Sequence, residues 1–174
     1  METLVMKAAR FAAKAHAGQF RKDGKTPAIV HPARVAGRVS VLPYATEELV
    51  AVAYLHDVLE DCPVTHADLA QEFGAGVADL VDYLTKKKTE GNREARLARY
   101  FQTLGEAPAV VHAVKALDRI DNLRDLALLP GHGEFAKEYL AETHRLSLFI
   151  PYAGQDLLTE MRQAAERVMN TVTA

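Results

Sequence analysis

Three stretches of this sequence set acid, imidazole and amide side chains among apolar residues. The first is Ala51 to Asp61, AVAYLHDVLED, where His56 and Asp57 are adjacent and Glu60 and Asp61 follow one turn later. On a continuous helix of about 100° per residue, His56, Glu60, Asp57 and Asp61 fall at about 0°, 40°, 100° and 140°. Those four would share one arc, with Val58 and Leu59 opposite. An unpaired carboxylate is costly to bury. The arc therefore either faces solvent or is neutralised by a cation, and a neighbouring imidazole and carboxylate suit one divalent ion. The second stretch, VKALDRIDNLRD, spaces Asp118, Asp121, Asn122 and Asp125 at three and four residues amid Leu117, Ile120 and Leu123. It reads as a solvated acidic stripe or as a further source of ligands. The third feature is His31, set before Pro32 at the start of a helix, where a capping or surface role competes with ligation.

The elements that must position these residues are helical. Leu4, Ala8, Phe11 and Ala15 form one stripe of a helix from Thr3 to about Ala17, ended by Gly18. Gln19 to Ile29, with Asp23-Gly24 and Thr26-Pro27, is a basic loop carrying Arg21 and Lys22. Pro32 opens a short helix to about Leu42. Thr46 caps an apolar helix running unbroken to about Asp61, and Thr65 with Asp68 forms a capping box for another, ended by Gly74. Further helices are expected over 77–85, 93–104, 108–128, 135–149 and 156–172. No stretch alternates with the period of a strand. The expected fold is all-α, a bundle of eight or nine helices, with residues 1–174 as a single domain.

Composition narrows the function. The 174 residues carry a net charge of −2, so a broad basic face for nucleic acid is not expected. The single cysteine, Cys62, excludes an internal disulfide and suits a reducing compartment. There is no apolar run of membrane-spanning length and no charged and apolar leader, so a cytoplasmic protein that does not enter a membrane is expected. The amphipathic last helix could pack on the core or on a second subunit, which leaves a homo-oligomer open.

Taken in order, AHAGQFRKDGKTPAIVHPARVA, AVAYLHDVLEDC, TKKKTEGNREARLARY and VKALDRIDNLRDL resemble successive motifs of the RelA/SpoT-type HD-domain alarmone hydrolases. The four blocks span residues 8 to 126. The resemblance implies an HD-domain helical bundle. It also implies that His31, His56, Asp57 and Asp118 bind one divalent metal, typically Mn²⁺, with Glu60 and Asp61 as the catalytic carboxylates. Arg21, Lys22 and Asn122 would contact the nucleotide. Thr85 and Lys86 match only loosely and receive no role.

The implied reaction is hydrolysis of the 3′-pyrophosphate of guanosine tetra- or pentaphosphate, (p)ppGpp, to GDP or GTP and pyrophosphate. The length is that of a stand-alone small alarmone hydrolase similar to the metazoan SpoT homologues. Two alternatives stand beside it. One is a phosphohydrolase for another nucleotide, such as ppApp or the 2′-phosphate of NADPH; the other is a catalytically silent alarmone-binding module. Ala28 stands where the family commonly has an aromatic residue, and Cys62 where it often has Thr. Cys62 reads as a small packing residue rather than a catalytic thiol.

Overall fold

A computed structural model describes residues 2–87, 91–129 and 133–173. Among them the chain is helical, with no strand beyond an isolated antiparallel bridge between Phe20 and Pro27. It divides into two compact units, residues 1–107 and 108–174.

The first unit is built around the helix that is apolar on every side. Helices α1 (Leu4–Ala15), α2 (Val30–Val39) and α3 (Glu47–Leu55) pack together, with α3 between the other two. In α3, Leu49, Val50, Ala51, Val52, Ala53 and Leu55 are all buried, as expected of a helix without a polar face. Thr46 caps it, its hydroxyl accepting from the amide of Leu49. The expected unbroken helix to Asp61 is interrupted: α3 ends at Leu55, and a four-residue turn of helix, α4 (Val58–Asp61), begins after Asp57. Helices α5 (His66–Phe73), α6 (Ala75–Leu84) and α7 (Arg93–Gly105) complete the unit. The capping box of Thr65 and Asp68 forms, and Gly74 (φ +87°) turns the chain between α5 and α6 in a conformation that only glycine adopts cheaply.

The second unit holds α8 (Ala109–Ala127), α9 (Gly133–Ser147), a 3₁₀ turn (Pro151–Ala153) and α10 (Gln155–Thr173). Helix α8 packs against α10 and the 3₁₀ turn, and α9 packs against α10. The ends of the expected helices lie within a few residues of those observed. The largest departure is the early end of α3, and α2 begins two residues before its expected start, at Val30, taking His31 and Pro32 into its first turn. Part of the TKKKTEGNREARLARY block, residues 88–90, lies outside the described residues.

Candidate metal centre

In the first unit, His31 on α2 and His56 at the end of α3 are 1% and 2% exposed. The surface reading of His31 and the solvated reading of His56 are thereby excluded. Their Nε2 atoms face each other at 3.2 Å, with the rings 71° apart. Asp57 adds its carboxylate, Oδ1 lying 3.2 Å from His56 Nε2 and Oδ2 lying 3.6 Å from His31 Nε2. On an unbroken helix, neighbouring side chains point about 100° apart. His56 and Asp57, where α3 gives way to α4, keep right-handed helical backbone angles (φ −58°, ψ −29° and φ −98°, ψ −8°), and their side chains meet beside His31.

The donor set fits a divalent ion. Bonds of about 2.1 Å at right angles leave neighbouring donors about 3.0 Å apart, close to the separations seen. His56 Nδ1 lies 2.8 Å from the carbonyl of Ala53. A carbonyl only accepts, so Nδ1 carries the proton, and Nε2 of the neutral ring presents its lone pair to the cluster. Two imidazoles and a carboxylate are the mixed N and O donors that first-row divalent metals accept. His31, His56 and, in α8, Asp118 are all buried groups of metal-ligating type.

Glu60 and Asp61 follow in α4. Glu60 is half-buried, and its Oε2 accepts the backbone amide of Lys86 at 3.0 Å, which fixes the carboxylate beside the chain leaving α6. Asp61 is exposed at the C-terminal end of α4. Its backbone carbonyl accepts from Gln19 Nε2 at 3.0 Å.

Arg21 and Lys22 ride on a loop whose shape is set by Asp23. The Asp23 carboxylate accepts the amides of Lys25 and Thr26, both at 2.8 Å, and the Thr26 hydroxyl at 2.6 Å. The Thr26 hydroxyl leads these bonds in lowering the Asp23 pKa to about 2. Gly24 (φ +70°) completes the turn, and the Arg21 amide closes it on the Thr26 carbonyl at 2.8 Å.

In the second unit, Asp118 and Asp121 are buried in α8, so this stretch is no solvated stripe. Asp118 accepts from Lys115 Nζ at 2.7 Å and from Asn122 Nδ2 at 2.6 Å. The next residue, Arg119, is 3% exposed and pairs with Glu142 at 2.8 Å, its guanidinium lying 4.1 Å from the centre of the Tyr139 ring. Burial pushes the Tyr139 phenol up to about 12, against the pull of Arg119, so the ring stays neutral.

Several contacts around these residues have no signal in the sequence. Lys86 acts on Glu60 through its main chain, which no side-chain type can signal. His16 and Gln19 sit in a helix end and a loop, and reveal themselves only through their contacts with Cys62 and Asp61. Burial holds the Cys62 thiol above its usual range, with Asp61 and Asp57 adding to it, which makes it a poor nucleophile and agrees with a packing role.

The sequence profile of the HD domain family matches residues 8–155, and the chain belongs to that family. Among curated proteins, it is 37% identical over 145 residues to the guanosine-3′,5′-bis(diphosphate) 3′-pyrophosphohydrolase of Haemophilus influenzae. That alignment covers 77% of this chain and 21% of the relative. It is 41% identical over 121 residues to the enzyme of the same name from Vibrio cholerae, covering 66% of this chain and 17% of the relative. The chain thus spans about a fifth of the length of the curated relatives it matches. Among solved structures it superposes on a metazoan orthologue of SpoT, described as hydrolysing ppGpp, with a TM-score of 0.85. The identity is 25%, and 99% of this chain and 98% of that one are covered.

Proposed function

We propose that this protein is a metal-dependent hydrolase that removes the 3′-pyrophosphate of (p)ppGpp, releasing GDP or GTP and pyrophosphate. The observation that carries this reading is the convergence of His31, His56 and Asp57 on one point, one helical turn ahead of Glu60 and Asp61. The relatives named for this reaction and the SpoT orthologue that matches nearly end to end support the choice of substrate. The family match runs from residue 8 to residue 155, which favours residues 1–174 acting as one HD hydrolase domain.

His31, His56, Asp57 and Asp118 are assigned as the metal ligands, and Mn²⁺ is the ion the family resemblance implies, one of the divalent metals that two imidazoles and two carboxylates accept. The ion, when bound, acidifies a water and draws charge from the phosphoryl oxygen under attack. Glu60 and Asp61 orient the attacking water, accept its proton and return a proton to the leaving oxygen. Lys86 restrains Glu60 through its amide, so the carboxylate needs little reorganisation. Arg21 presents a planar fork to phosphate or base and Lys22 a point charge, while Asn122 contacts the nucleotide one turn beyond Asp118. A chain of net charge −2 needs such a local positive site to hold a polyanion. A nucleotide substrate and a single free cysteine support a reading of the protein as cytoplasmic.

Pyrophosphate release from ppGpp, measured with Mn²⁺ and with chelator for the wild type and Asp57→Ala, tests the assignment. Metal-dependent release that Asp57→Ala abolishes is the expected result. Turnover of ppApp or NADPH alone would move the substrate. No turnover of any of the three by folded protein that binds Mn²⁺ would leave a nucleotide-binding module.

A further inference from the structure

One side chain joins the loop that carries Arg21 and Lys22 to the short helix that carries Glu60 and Asp61. Gln19 stands at the base of that loop: its amide donates to the His16 carbonyl at 3.0 Å, and its carbonyl accepts from Ala28 at 2.9 Å. Its side chain reaches across to α4. Nε2 lies 3.0 Å from the Asp61 carbonyl and 3.8 Å from Cys62 Sγ, and Oε1 lies 2.8 Å from His16 Nδ1. The roles are forced in sequence. The Asp61 carbonyl can only accept, so the Gln19 amide donates there, and Oε1 must then accept from a protonated His16 Nδ1. His16 is itself buried and lies 3.4 Å from Cys62 Sγ, so the relay starts from a fixed ring.

A helix of four residues has almost no stability of its own, and its last carbonyls lack partners within the helix. The direction of the exposed Asp61 side chain therefore depends on what holds the end of α4. We propose that Gln19 is a positioning residue that fixes Asp61, through its main chain, relative to the Arg21–Lys22 loop. The proposal rests on the catalytic assignment of Asp61 made above. Binding of the substrate phosphates by the loop would then be transmitted to the carboxylate by hydrogen bonds alone, with no large movement of the chain.

The test is a double-mutant cycle on ppGpp hydrolysis by the full chain, with Gln19→Met and Asp61→Asn. Methionine keeps the length of Gln19 and removes its donor. Mn²⁺ affinity and thermal midpoint are measured for each protein, to separate misplacement from unfolding. Gln19→Met is expected to lower kcat by about tenfold, with KM and Mn²⁺ affinity within about twofold. In the Asp61→Asn background the same change should cost less than about twofold, because the group it positions is already disabled. An equal loss in both backgrounds, a loss carried by KM, or an unchanged kcat would overturn the role of Gln19 and leave the hydrolase reading standing. Full activity of Asp61→Asn alone would remove the catalytic assignment of Asp61, and the role of Gln19 with it.

Discussion

At the scale of single residues, the proposed site is organised by groups to which no part in the chemistry is assigned. Ala53 offers His56 a carbonyl that settles its tautomer, the Lys86 amide holds Glu60, and Asp23 folds the loop behind Arg21 and Lys22. Asp23 yields a direct prediction. Its pKa of about 2 lies below that of a free carboxylate, so its ionised form belongs to the folded loop. The loop is supported above about pH 4 and loses that support as pH falls through about 2. A carboxyl-carbon NMR titration should find Asp23 still ionised at pH 3. Asp23→Ala should raise KM for the nucleotide more than it lowers kcat, because it loosens the cations and leaves the metal ligands untouched.

At the scale of elements, His56 and Asp57 lie where α3 gives way to α4, and the buried Arg119–Glu142 pair pins α8 to α9 beside Asp118. Nε of Arg119 is buried without a hydrogen-bond partner, so the pair is closely matched but not fully satisfied. Removing one partner should leave an uncompensated charge in the interior. Glu142→Leu is expected to destabilise the protein by about 3–5 kcal/mol in urea unfolding, and Arg119→Met with Glu142→Leu to recover most of that loss.

The helices themselves were legible in the sequence, because Thr46, Thr65 with Asp68, Gly18 and Gly74 announce their ends by residue type. The residue types at the site were legible too, since His56, Asp118 and Asp121 are polar groups in apolar runs. The break after Leu55 was not, because VAYLHDVLED contains neither glycine nor proline and reads as one helix. Nor was the burial of Asp118, which depends on tertiary packing rather than on its own α8 pattern.

At the scale of the molecule, the HD family match and the near end-to-end superposition on a SpoT orthologue described as hydrolysing ppGpp support the proposed metal donors and the proposed acid pair. The overall charge of −2 disfavours a polyphosphate, and the proposed chemistry therefore depends on a bound cation. That dependence is the central claim, and metal binding tests it without reference to turnover. Mn²⁺ titrated into the full chain and followed by electron paramagnetic resonance should show one tight site per chain. Asp57→Ala should weaken it by about 100-fold or more, since even indirect partners of a ligand are worth about 10- to 100-fold. A wild-type chain that binds no Mn²⁺, or an Asp57→Ala chain that binds it unchanged, would contradict the account.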